Sequence, residues 1–344
     1  MASVDPQNRN QSHPLISVLL PARNAENTLD DALASLAAQT WPNIEVLVVD
    51  DHSTDATPTI VQRWASHDPR FKLLHNKGRG IVAALQTALA HATGEYVARM
   101  DADDRALPTR LEQQVTLLMQ EPACGLCATH VRDIGEVGEG RRAYSQWLYS
   151  MQSHDDVVTN LFVECPIAHP TFLLRRRALD SVGSYREVPW PEDYDLVMRM
   201  WLGGWKFALV AQPLLEWRDH PWRLSRTDAR YSPDAFRHCK LHYLLRSPYL
   251  NSENPLIQWG AGKEGKWWLR HWPSSKRPEA VVEVNPRKIG QRIYGVPVVG
   301  PNALDAPRGR FLVVAVGVRG ARDEIRAFLG ARGWKEREHY LFVI

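Results

Sequence analysis

The run Glu95-Tyr96-Val97-Ala98-Arg99-Met100 ends in Asp101-Ala102-Asp103-Asp104. Alternate residues at a strand end can present two carboxylates to one point, and a set of oxygen ligands suits Mg2+ or Mn2+. An ion held there would bridge a diphosphate and offset its charge as it leaves. Taken alone, such a triplet is more often a solvated turn before a helix, here one opening near Pro108. A second acidic end lies upstream, where Asp50-Asp51 close IEVLVVDD and His52-Ser53-Thr54-Asp55 follow. The first apolar run ends in Pro21-Ala22-Arg23-Asn24. Asp51 is placed to accept a hydrogen bond from a base imide or a ribose hydroxyl. Asp55 reads mainly as a helix N-cap.

Two later clusters carry acid–base potential. Pro191-Glu192-Asp193-Tyr194-Asp195 opens a helix after Trp190. A carboxylate there could take the proton of an attacking hydroxyl, although acids in a first helical turn also complement the helix dipole. In isolation the dipole reading of Glu192 and Asp193 is the commoner one. Trp217-Arg218-Asp219-His220 is followed by Arg223 and Arg226, whose guanidinium groups suit phosphate oxygens. His169-Pro170-Thr171 faces an acceptor or simply starts the strand TFLLRR. Trp190 and Trp222 are candidates for stacking on a flat ligand face, although core packing is the commoner fate of tryptophan.

The elements that must position these groups alternate between strand and helix patterns. ISVLLP, IEVLVVDD, FKLLH and EYVARMDADD read as strands. Between them, Leu29, Leu33 and Leu36, then 56–66, then Ile81, Leu85, Ala88, Leu89 and Ala92 read as helices. That order predicts an α/β fold with a mostly parallel sheet, in which ligands bind beyond the carboxyl ends of the strands. Helices are predicted near 154–163, 192–202 and 232–246, and DIGEVGEGRR reads as a surface loop. The expected organisation is a flexible leader over 1–13, a first domain over 14–247, a linker over 248–254 and a small second α/β domain over 255–344.

With these pieces in order, ISVLLPARNAENTLDDALASLAAQTWPNIEVLVVDDHSTD and GRGIVAALQTALAHATGEYVARMDADD resemble the GT-A catalytic domain of family 2 glycosyltransferases. The likeness covers roughly 15–225. It implies an inverting transferase whose donor is a nucleotide diphosphate sugar, often uridine-linked, and whose acceptor is a glycan or other hydroxyl. Pro21, Ala22, Asn24, Asp51, Arg79, Asp101 and Ala102 fall at donor-contacting positions. Asp101, Asp103 and His220 fall where Mn2+ or Mg2+ is held, and Glu192-Asp193 matches the late acidic pair, which makes Asp193 the expected base and Glu192 the residue that orients it or the acceptor. His52 departs from the small polar residue usual there, which loosens the assignment of the base. The competing readings are a sugar nucleotidyltransferase, disfavoured by the loop PARNAENTL, and a non-catalytic sugar-nucleotide binder. A dehydrogenase built on the C-terminal motif would leave the larger domain unexplained.

That motif is Gly260-Ala261-Gly262-Lys263-Glu264-Gly265 after LIQW, with Glu283 ending VVEV at the spacing of a ribose-binding acid. It resembles the small Rossmann-like domains attached to sugar-modifying enzymes. Such a loop cradles phosphate at a helix N-terminus, but it is also the simplest way to pack a helix on a strand. Trp267 and Trp268 just beyond it favour docking or assembly, including a homo-oligomer. Composition is that of an ordinary globular protein: 344 residues, 44% hydrophobic, 24% charged, net charge +3. That balance argues against nucleic acid. Four cysteines in so long a chain make no disulfide framework, and Cys124 and Cys127 read as buried thiols. The polar leader and the short apolar runs predict a cytoplasmic protein, with peripheral contact at the inner membrane face permitted.

Overall fold

The computed structural model describes residues 13–250, 254–318 and 320–344. All but His13 of the expected leader, and residues 251–253 of the expected linker, lie outside these. The chain forms two compact units, one running to Val157 and resuming over Ile167–Ser232, the other combining Val158–Pro166 with Pro233–Ile344.

In the first unit the predicted alternation is present: β1 (Ile16–Ala22), α1 (Leu29–Ala37), β2 (Ile44–Asp50), α2 (Thr57–His67), β3 (Phe71–His75), α3 (Gly80–His91) and β4 (Tyr96–Arg99). β1 pairs in parallel with β2 and β4, and β2 with β3. β2 and β4 are buried along their whole length, as expected of parallel strands covered on both faces. α1 turns Leu29, Leu33 and Leu36 into the core, the stripe its 3.6-residue period predicts.

Beyond β4 come β5 (Arg105–Ala106), α4 (Arg110–Gln120), β6 (Cys124–Gly135), α5 (Glu139–Leu148) and α6 (His154–Asn160). They are followed by β7 (Leu173–Arg175), α7 (Arg176–Ser181), α8 (Glu192–Leu202), β8 (Lys206–Asp219) and α9 (Leu224–Thr227). The eight strands lie in the order β3-β2-β1-β4-β7-β6-β8-β5. β7 runs antiparallel to both neighbours, and β6 and β8 are parallel. Cys124 and Cys127 are free and buried in β6. The segment DIGEVGEGRR is not a loop throughout. Its first three residues finish β6, and Glu139 opens α5. The Arg141 guanidinium there pairs with Asp133 at 2.7 Å and lies over the Trp217 ring, so its charge binds this helix to the sheet.

The second unit holds α10 (Pro233–Leu244), β9 (Leu256–Trp259), α11 (Lys263–His271), β10 (Ala280–Val282), β11 (Arg292–Ile293), β12 (Val296–Val299), β13 (Phe311–Val314), α12 (Ala321–Gly330) and β14 (Tyr340–Phe342). Its sheet order is β11-β12-β10-β9-β13-β14, parallel from β12 to β14. Counting only parallel strands, this is the 3-2-1-4-5 order of the doubly wound α/β fold, one strand short of the full 3-2-1-4-5-6. No helix among the described residues is long and apolar enough to cross a membrane.

At the end of the first sheet away from the acids, Glu45 joins three segments. Its carboxylate accepts from the Ser17 hydroxyl at 2.6 Å, from Thr93 N at 2.8 Å and from Lys72 Nζ at 2.8 Å. Burial alone would raise its pKa, but these donors together bring it down to about 2. A carboxyl depressed in the folded state stabilises above its unfolded value of 4.5 and loses that contribution as pH falls toward 2. Glu45→Gln should therefore cost about 2 kcal/mol at neutral pH. The gap from wild type, read from thermal unfolding, should close as pH is lowered from 4.5 toward 2.

Candidate active site

The parallel strands put Ala22 beside Asp50 and Leu19 beside Arg99, so three carboxyl ends meet where the sheet opens. One ligand oxygen from each of Asp101, Asp103 and Asp104 lies within 4.8 Å of the others. Burial, then the Asp101 charge, raises the Asp103 carboxyl above its usual range. Burial, then Asp101 and Asp103, pushes Asp104 well above its own. Asp104 is held by Arg218 N at 2.8 Å through Oδ1, while its buried Oδ2 has no hydrogen-bond partner. His220 Nε2 sits 2.8 Å from Asp103 Oδ2. Crowded, underpaired oxygen donors beside an imidazole are a set that fits a divalent cation.

Beside this cluster the loops after β1 and β2 are laced together. Asn24, at φ 49°, accepts from Thr54 N at 2.9 Å, and its own N–H donates to the Ser53 hydroxyl. The N-cap of α2 is Ala56 rather than Asp55, which stands one residue earlier and accepts from Thr57 N at 3.0 Å and from Glu26 N. The Thr28 hydroxyl donates to Ala102 O at 3.0 Å, fastening the acidic loop to α1. Pro21 and Ala22 end β1. Asp51 is buried, and its two oxygens already accept from Asn76 Nδ2 at 2.7 Å and Gly80 N at 2.9 Å. It thus holds the left-handed turn at Gly80 that starts α3. Arg79, the residue before that turn, is exposed.

Glu192 and Asp193 open α8 as predicted, in different surroundings. Glu192 is fully buried and accepts from the Tyr231 hydroxyl at 2.8 and 3.0 Å. His169 Nδ1 lies 3.7 Å from Glu192, and its Nε2 meets the Tyr185 hydroxyl at 2.9 Å. Burial, then the Arg99 charge, holds this imidazole far below its usual pKa, so it is neutral. Asp193 is only half-buried, and its carboxylate accepts from Tyr194 N at 2.7 Å. Burial, followed by the Glu192 charge, pushes it up to about 7. Asp195 points elsewhere, taking Trp190 Nε1 and Arg199 Nε. Trp190 is thereby fixed by its polar edge, whereas Trp222 is 81% exposed.

Two groups missed in the sequence contact the acidic clusters directly. Arg99, the last residue of β4, is 2% exposed and paired with Asp101. A cation inside an otherwise apolar strand was its available signal. Tyr231 gave none, because nothing local ties it to Glu192, 39 residues away.

In the second unit, packing accounts for part of the glycine motif. A Cβ at Gly265 would stand 2.0 Å from Gly260 O, and one at Gly260 2.4 Å from Ala315 O, while Gly262 faces open space. Glu283 is occupied: Oε1 accepts from Val284 N and Asn285 N, and Oε2 from Lys288 Nζ at 2.9 Å.

A sheet whose parallel strand ends gather an acidic cluster, extended by antiparallel β7 toward a second pair of acids, has the GT-A architecture of nucleotide-diphospho-sugar transferases. The S. aureus TarS structure, residues 1–349 with UDP-GlcNAc, shares that fold at a TM-score of 0.56 and 22% identity, covering 68% of this chain and 67% of that one. The chain belongs to glycosyltransferase family 2. The model of that family, "Glycosyl transferase family 2", matches residues 17–183. The putative glycosyltransferase EpsE of Bacillus subtilis is 31% identical over 257 residues, 72% of this chain and 90% of EpsE. A shorter stretch of 107 residues is 37% identical to the Escherichia coli UDP-Glc:alpha-D-GlcNAc-diphosphoundecaprenol beta-1,3-glucosyltransferase WfgD, covering 31% of this chain and 42% of that protein.

The steric pattern of the glycine motif makes a direct test. Gly265→Ala must displace backbone and should destabilise the second unit by about 2 kcal/mol. Gly262→Ala should leave thermal unfolding of the full chain nearly unchanged.

Proposed function

We propose that this enzyme is an inverting, metal-dependent glycosyltransferase that moves a sugar from a nucleotide diphosphate donor, UDP-linked as first choice, to an acceptor hydroxyl in polysaccharide biosynthesis. The observation that carries the reading is the pairing of an underpaired acidic cluster with a half-buried carboxyl pushed up to about 7. Binding alone has no use for the second group. The specificity named for WfgD supports a uridine donor and an acceptor on a lipid-linked diphosphate, and with it a peripheral place at the cytoplasmic membrane face.

Asp101, Asp103 and His220 would hold Mn2+ or Mg2+. Such an ion supplies positive charge against the departing diphosphate. Pro21, Ala22, Asn24, Asp51, Arg79 and Ala102 line the donor crevice. With Asp51 already holding Asn76 and Gly80, its remaining lone pairs are what it offers a nucleoside. Asp193 is the general base. An acceptor oxygen attacks the anomeric carbon as the carbon–oxygen bond to the diphosphate breaks, and the hydroxyl proton passes to the Asp193 carboxylate. One displacement inverts the anomeric centre. Glu192, fixed by Tyr231, orients the acceptor side. We assign the catalytic domain to 14–247 and an auxiliary Rossmann-like domain to 255–344, with Gly260, Gly262, Gly265 and Glu283 serving packing and docking before any nucleotide.

A donor screen that follows nucleoside diphosphate release, with Mn2+, Mg2+ or chelator, tests the assignment. Asp103→Ala should abolish transfer with the fold intact, and full activity in excess chelator would overturn the metal requirement. Asp193→Asn should lower turnover by roughly two to four orders of magnitude while donor binding survives. A base must be ionised to act. Turnover should therefore fall as pH drops below about 7, by about tenfold per unit. A product that keeps the donor's anomeric configuration would reject the single displacement.

A further inference from the structure

Trp222 is the only one of the thirteen tryptophans that stands in solvent, at 81% exposure. The others are buried or half-buried, where an indole gains from leaving water. A single exposed apolar residue is ordinary on a protein surface, but this one sits on a built turn. Arg223 N donates to His220 O at 3.4 Å, which leaves Pro221 and Trp222 as the two central residues, and proline presets the first of them. Two arginines then pin the approach to the turn. Arg226 donates to His220 O at 3.1 Å and to Asp219 Oδ2 at 2.8 Å. Arg223 donates to Arg218 O at 3.0 Å, with its guanidinium 4.7 Å from the centre of the Trp217 ring. His220 Nε2 in turn meets Asp103 Oδ2 at 2.8 Å. The exposed indole is thus two residues from an imidazole in contact with the acidic cluster, on a turn whose shape is fixed without it.

We propose that Trp222 is a stacking platform for a pyranose ring of the acceptor. The proposal rests on the donor site proposed above, with the nucleoside at the ends of β1 and β2 and the diphosphate at the acidic cluster. In the sheet order β4 lies between those strands and β8. The loop that continues β8 therefore reaches the cluster from the side away from the nucleoside. What lies on that side of a diphosphate is the sugar and the hydroxyl that attacks it. The face of an indole is electron-rich, and the C–H bonds on one face of a pyranose offer it an apolar, weakly positive partner. A flat ring left open to water suits a partner that arrives and departs in every turnover. Leu224, also exposed on this loop, makes a lipid surface the competing occupant, and the test separates the two.

The test follows the indole N–H resonance of Trp222 in the full-length protein labelled with 15N-tryptophan, identified by its loss in W222F. With UDP and Mn2+ present, the methyl glycosides of glucose, galactose, mannose and N-acetylglucosamine are titrated in turn. At least one should move the Trp222 signal saturably. W222L, which keeps an apolar side chain without a ring face, should weaken binding of that glycoside by about tenfold, read on the sugar's own proton signals. W222F should weaken it less. If UDP and Mn2+ bind and no glycoside moves the Trp222 signal, the proposal is overturned, as it is if W222L binds the glycoside as well as wild type. A signal moved by vesicles of phosphatidylglycerol and phosphatidylethanolamine, and by no glycoside, makes the loop a membrane contact and also overturns it. If a glycoside moves Trp222 but UDP does not bind with Mn2+, the platform stands and the donor reading falls instead.

Discussion

Three carboxylates brought within 4.8 Å of one another at the end of β4 repel one another, and that repulsion sets the terms for what surrounds them. In a folded interior like charges at this range cannot all ionise without compensation. The protein meets the problem from beneath. Arg99 pairs with Asp101, and Arg110, also fully buried, donates to Arg99 O at 2.6 Å and feels the charge of Asp104. From above, His220 and the Arg218 backbone take Asp103 and Asp104. What stays without a hydrogen-bond partner is the buried Oδ2 of Asp104.

The same logic separates the two acids of α8. Glu192 is sealed and fixed by Tyr231, while Asp193 keeps partial access to water and a carboxyl lifted to about 7. Adjacent residues in a first helical turn point in different directions, so one carboxylate can be a strut and its neighbour a reactive group. His169, neutral between Tyr185 and Glu192, completes the wall without adding charge. The path from sequence to chemistry therefore runs through burial: the helix start brings the acids in, and the packing around each decides its protonation.

Much of this was legible in the sequence because it is local. Continuous apolar runs ending in acids gave the parallel strands and the place of the candidate acidic cluster, and the period of Leu29, Leu33 and Leu36 gave the face of α1. The helix starts at Glu192 and after Asp55 were equally plain. What escaped is what distant segments do to one another. Asp51 reads as a ligand contact, yet it also braces the Gly80 turn. Tyr231 reaches Glu192 only through the fold. DIGEVGEGRR looks like a loop by composition, but the pairing of Arg141 with Asp133 draws it into strand and helix. In the second unit, spacing alone could not separate a phosphate cradle from a packing device. The close approach of Gly265 to Gly260 O supplies the packing half.

On our proposal, the acidic strand end seats a nucleoside diphosphate together with a divalent cation. Calorimetric titration of UDP into the full-length protein, with and without Mn2+, tests it without any acceptor. Mn2+ should strengthen UDP binding by about tenfold or more, a coupling of about 1.4 kcal/mol, and Asp103→Ala should remove the coupling. UDP binding of equal strength with and without Mn2+ in the wild-type protein would contradict it.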